Sequence, residues 1–308
     1  SPLGQYHWRG VSQRPLPNPQ GFHTNEDGDA TFHTAVLVNA LSWAYKNMTD
    51  TVDKTTIKTA IMRMLTYFAN GQALREGCLV RNFVSLEAYE TFIPQEQNCT
   101  KGFSLKDEPC MKYLKGFNVQ VRYDISLDAI SQVIAACYWV RVHIPELSQL
   151  ATSIVERQYQ YYENTNWRIL DVNNQVCRYG YHTPSLVVPM GVFTKILMEH
   201  MLGDNPTRGF NGVILNRIFR TYISGIYRNK TSRDQFNNYM ATCVTHALVD
   251  AGYDFRSMLR RLIDETSGEL NFYSNAVSNL VFGTFLPTIP ADMPIRDRGY
   301  LSYQRSNT

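Results

Sequence analysis

Apolar residues spaced three or four positions apart, in long stretches that come in pairs, restrict this chain to a largely helical architecture. The first stretch carries Phe32, Ala35, Val36, Asn39, Ala40 and Trp43 behind Asp29, a good N-cap, and is expected to end near Asn47. After a short polar link, a second carries Ile57, Ala60, Ile61, Met64, Leu65 and Phe68, with Gly71 as its expected stop. Two amphipathic helices on so short a connector form an antiparallel hairpin.

The pattern then recurs. A helix opening at Ser126 runs through Ile130, Val133, Ile134, Cys137 and Tyr138 to His143. Pro145 opens its partner, which runs through Leu147, Leu150, Ala151, Ile154 and Val155 to Tyr162. Further pairs are expected at about 185–201 with 211–227 and at about 236–251 with 255–265, followed by a last helix near 273–283. Between them lie irregular pieces: an N-terminal arm over 1–28, an insertion over 72–123 with one or two short strands, and a Pro-rich tail over 284–308. Two β-prone runs around Asn173 and Asn174 predict a small hairpin. Helical pairs that share a plan bury their faces by ringing an axis or by stacking into a solenoid, and the excursions are too long for tandem repeats. The expected fold is mainly α, a single (α/α) toroid of antiparallel helical hairpins over 1–308 with small β-hairpin inserts.

Asp27-Gly28-Asp29-Ala30-Thr31-Phe32-His33-Thr34-Ala35, ahead of the first long helix, resembles the entry to an inner helix of (α/α)-barrel proteins. Tyr123-Asp124-Ile125-Ser126-Leu127-Asp128-Ala129 is similar to another such entry. The run from Asn166 to Asp171 and Val172, continued by Cys177-Arg178-Tyr179-Gly180, resembles the β-hairpin insert of bacterial members, with Asn173-Asn174 where Asp-Gly would stand. The resemblance covers about a third of the chain and implies kinship with glycoside hydrolases, polysaccharide lyases and exported bacterial relatives. Fold does not fix function, so activity has to be sought in the residues.

Composition removes several classes. Net charge is +3 with no basic block, so no nucleic-acid partner is expected. No apolar run reaches the roughly 20 residues of a membrane span. No CxxC, HExxH, GxSxG or phosphate-binding glycine loop occurs, and neither a cofactor nor a metal is assigned. The opening Ser-Pro-Leu-Gly-Gln has no leader character, so any export signal is expected to have been removed already or never to have existed. Cys99 and Cys110 flank a polar loop that a disulfide would close, whereas Cys137 and Cys243 fall in apolar helical stretches as buried thiols. A secreted or periplasmic location follows from the disulfide.

Three polar constellations are candidates for chemistry. Glu26, Asp27 and Asp29 crowd a glycine-softened turn at a helix start, with His23 and His33 nearby. Unpaired backbone NH groups there hold a carboxylate ionised, as a base or nucleophile requires. The same cluster has oxygen ligands for a cation, but the EF-hand spacing fails, since position 12 counted from Asp27 is Val38. Asp128, with Asp124, stands at the mouth of the third long helix, and a ring of like-directed helices would bring it to the same rim as Asp29. Two carboxyls converging on one bond are the geometry of glycoside hydrolysis. Arg178, Tyr179, Tyr181 and His182 would contact sugar or supply the acid, base and cation of a uronate lyase, and Tyr273, Asn275 and Asn279 would line the cavity. Against these, Asp29 and Asp128 serve equally as helix-start residues, and Tyr179 to His182 as packing aromatics. The leading expectation is a polysaccharide-directed protein, in its enzymatic form a hydrolase using Asp29 or Asp27 with Asp128. The alternative is a self-assembling surface, virion or filament component that reuses the toroid.

Overall fold

A computed structural model describes residues 30–85, 111–114, 119–184, 189–203, 242–256 and 259. Over these the protein is mainly helical, with two small antiparallel sheets. The first hairpin is α1 (Ala30–Asn47) and α2 (Thr51–Ala73). Asp50 caps α2, its carboxylate accepting from the Asp53 amide at 2.9 Å. The two helices run antiparallel: Lys54 lies 5.2 Å from the Tyr45 ring at one end, and the Thr31 and Tyr67 hydroxyls meet at 3.3 Å at the other.

Gly71 does not stop α2, which continues to Ala73 and ends on Leu74. Its role is close approach, because a Cβ there would stand 2.8 Å from Val80 Cγ2. The chain turns instead at Glu76 and Gly77, both at positive φ.

The insertion builds one strand more than expected: β1 (Asn82–Ser85), β2 (Met111–Leu114) and β3 (Val119–Arg122), ordered β1-β3-β2 and antiparallel throughout. The second hairpin is α3 (Leu127–His143) and α4 (Ser148–Thr165), joined by a 3-10 turn over Pro145–Leu147 rather than entered directly at Pro145. Asn166, in the left-handed conformation with φ 52°, ends α4. The expected β-hairpin follows as β4 (Arg168–Leu170) and β5 (Val176–Tyr181). Its turn is held by Asp171, whose Oδ1 accepts from the amides of Asn173 and Gln175, each at 2.8 Å. α5 (Pro189–Leu202) and a helical stretch at 242–250, α6, complete the described helices. The N-terminal arm, the helices expected at 211–227 and 273–283, the tail, Cys99 and Cys110 lie outside the described residues. Cys78, Cys137, Cys177 and Cys243 are buried free thiols.

Three helices share one direction. α1 and α3 begin together, since Arg81 accepts from the Thr31 amide at 3.3 Å and its own amide donates to the Arg122 carbonyl at 2.9 Å. They also end together, with the Trp43 and Trp139 rings 4.6 Å apart. α5 follows α3, from the 2.7 Å hydrogen bond between the Ser131 and Thr194 hydroxyls to the Arg141 guanidinium on the Met201 carbonyl. α2 and α4 run the opposite way, side by side, tied by Lys58 to Glu146 at 3.0 Å and by the Gln72 side-chain amide to the Ile154 carbonyl at 2.8 Å. Packing of both layers produces one continuous apolar core from Phe32 to Phe255.

Candidate functional site

The shared start of α1 and α3 is organised by arginines. Asp124, just ahead of α3, takes a two-pronged contact from Arg122, with Nε at 2.7 Å and Nη2 at 3.1 Å. Arg81 adds Nη1 at 3.8 Å from the same carboxylate and at 3.2 Å from the Asp124 carbonyl. Both oxygens of Asp124 are thereby committed, and its side chain is 14% exposed. It acts as a clasp between the sheet and α3.

Asp128 differs. It occupies the first turn of α3 with partial exposure, and no hydrogen bond or ion pair to it is seen among the described residues. Ser126 precedes the helix without a side-chain capping bond. Asp128 therefore stands near the positive end of the helix dipole, at the rim itself. Ala30, the first described residue of α1, opens at the same rim, while Asp27 and Asp29 lie outside the described residues.

The hairpin candidates separate by strand alternation. Tyr181 projects into solvent at 63% exposure. His182 turns inward and is fully buried, its Nδ1 2.7 Å from the Tyr162 hydroxyl and its amide on the Trp167 carbonyl at 3.0 Å. In that position it braces the hairpin against α4. Arg178 and Tyr179 are placed on β5 by their backbone. Tyr273, Asn275 and Asn279 lie outside the described residues.

Cys78 is sealed in the interior, where burial pushes its thiol up and the Arg75 charge only partly opposes this, so it is no poised nucleophile. No group of three or more metal-capable side chains occurs among the described residues.

Two clusters escaped the sequence reading. On the flank of α4 and α5, Lys195 reaches Glu199 at 3.2 Å and Glu163 at 3.8 Å, and lies 5.1 Å from the Trp167 ring. Tyr159 donates to Glu199 at 3.1 Å and Trp167 Nε1 to Glu163 at 3.1 Å. Every polar group there has a partner, so the cluster ties α4 to α5. Only the four-residue spacing of Lys195 and Glu199 was visible beforehand.

The second is a four-ring layer where α1 and α3 end. Trp43 meets Trp139 and His143 at 4.6 Å each and His246 at 5.4 Å, and Trp139 meets His246 at 4.4 Å. This layer fills the space between α1, α3 and α6. Comparison of the chain with protein-family models, curated proteins and solved structures gives no match.

Proposed function

We propose that this chain is a polysaccharide-directed helical toroid whose sugar-facing rim is the end at which α1 and α3 begin. The observation that carries this reading is the common direction of α1, α3 and α5, with α2 and α4 reversed outside them. Alternate helices of a toroid have that relation, and it brings helix starts to one rim. Asp128 is the carboxyl at that rim left uncommitted, in contrast to Asp124. The second carboxyl of a hydrolase would come from Asp29 or Asp27, which precede α1 in the sequence, and glycoside hydrolysis requires such a pair to stand roughly 5–10 Å apart. Tyr181 is an exposed aromatic available to stack on a sugar ring.

The test is a glycan array followed by product analysis on any bound polysaccharide. Asp128→Asn and Asp29→Asn are each expected to lower turnover by at least about 100-fold, the scale of general acid–base catalysis. Melting temperature should fall little, because Asn replaces Asp at a helix start at small cost. Full activity in both variants would remove the paired carboxylates.

One observation favours a second reading. The Trp43, Trp139, His143 and His246 layer closes the opposite end of the helices, as a plugged structural toroid would have it. A protein that binds no glycan and forms defined oligomers by light scattering would belong to that class.

A further inference from the structure

The four-ring layer joins three helices with titratable rings at its centre. His246 is 6% exposed, Trp43 3% and Trp139 1%. The His143 Nδ1 lies 3.2 Å from the Ser42 carbonyl, which fixes the proton on that nitrogen while the ring is neutral. Its Nε2, and the Nε1 of both tryptophans, have no hydrogen-bond partner among the described residues. A proton added to His143 would therefore enter at Nε2, a buried nitrogen with no hydrogen-bond partner among the described residues to receive it.

The charged and titratable groups around the pair come from every described helix that packs there. Lys46 on α1 stands 4.8 Å from the Trp43 ring. On α3, Tyr138 donates to Asp250 of α6 at 2.8 Å, and Arg141 is engaged by the Met201 carbonyl. His200 of α5 faces Tyr138 at 6.2 Å. Lys46 opposes protonation of both rings and the His143 charge opposes that of His246, whereas the Ser42 carbonyl and Asp250 favour protonation of His143.

We infer that His143 and His246 form an acid-operated latch: neutral, they hold α6 against α1 and α3, and protonated, they release it. Burial holds His143 down to about 4, against 6.5 for a free imidazole, and pushes His246 well below the free ring, with the His143 charge adding to that shift. The sign follows. The latch is fully closed above about pH 6.5, and its contribution is lost as the pH falls through about 4, because the open state takes up protons that the closed state refuses. The inference stands apart from the sugar-directed reading.

The test is a pH titration of the full chain, following tryptophan fluorescence and near-UV circular dichroism beside the far-UV signal. An imidazolium in contact with an indole quenches it, so ring separation and protonation both register. Two exposed charges tune the latch in opposite directions without touching the core. Lys46→Gln relieves the repulsion and should move the opening midpoint down, by about half a pH unit, whereas Asp250→Asn should move it up by a similar amount. His143→Gln and His246→Gln should each lower it as well. If a buried histidine variant does not fold, the two charge variants still decide. Midpoints that coincide with the parent, or that move the same way in Lys46→Gln and Asp250→Asn, overturn the latch. So does a tryptophan transition that occurs only with collapse of the far-UV signal.

Discussion

α3 and α4 are consecutive helices of one hairpin, nearly equal in length, yet they meet their surroundings in opposite ways. Every residue of α3 from Ala129 to Val140 is buried, including Ser131 and Gln132. α4 buries one stripe, Ala151, Ile154, Val155, Gln158 and Tyr162, and leaves the rest toward water. A helix apolar on all sides must be surrounded, and α3 is, by α1, α4, α5 and α6. A helix with a single stripe forms the outer layer. The hairpin thus spans the thickness of the molecule, and its two halves should fail differently.

The largest effect is expected inside. Trp139 packs on Trp43, Tyr138, His143 and His246, so Trp139→Ala removes a shared contact of three helices. It should cost about 3–5 kcal/mol by denaturant unfolding. The matching change on the outer face, Glu156→Ala, should stay within about 0.5 kcal/mol. Equal losses would mean that α3 is not the interior helix.

Next in size is the polar member of the outer stripe. Gln158 faces inward, and its Oε1 accepts from the Leu79 amide at 2.8 Å. Gln158→Ala leaves that buried NH without its acceptor, at about 1–3 kcal/mol, with amide exchange at Leu79 as the local readout. Exchange unchanged at Leu79 would show that another group takes over.

The difference between the two helices was visible in the sequence only in part. The pairing of α1 with α2 and of α3 with α4 came through because spacing, caps and short links are local signals. Asn166 and Asp171 sit where a helix end and a turn need them for the same reason. What was not legible depends on contacts between distant segments. Gly71 looked like a terminator, but Val80, met only after the chain turns back, makes it a packing position. β1 pairs with β3 through Asn82 opposite Arg122, and neither strand is marked by alternation long enough to detect alone. His182 shared a polar run with Tyr181, and one step of strand alternation separates solvent from core. Asp124 and Asp128 looked equivalent until Arg81 and Arg122 were placed around one of them.

A smaller effect tests where the outer layer begins. Asp50 caps α2 with a single bond to the Asp53 amide. Asp50→Ala should lower stability by about 1 kcal/mol, and Asp50→Asn by much less, because Asn supplies a similar acceptor. Thermal melts of both variants separate capping from charge.

The smallest effect is expected between the two outer helices. Lys58 and Glu146 meet at 3.0 Å, and their side chains are 34% and 56% exposed. Each group's ordinary value is shifted in the direction an ion pair dictates, Lys58 upward through its bond to Glu146 and Glu146 downward, first through its own backbone and then through Lys58. Such shifts on exposed side chains are largely screened by water and salt, and holding two long side chains together costs rotamer freedom. Lys58→Met should therefore leave the melting temperature within error of the parent at 0.15 M salt, a concentration at which the screening length is about 8 Å. A small loss confined to low ionic strength would fit the same account. A loss that persists in 1 M salt would instead place the α2–α4 contact in a drier setting than its exposure indicates, and the contrast between a sealed inner helix and a wet outer pair would have to be redrawn at that end.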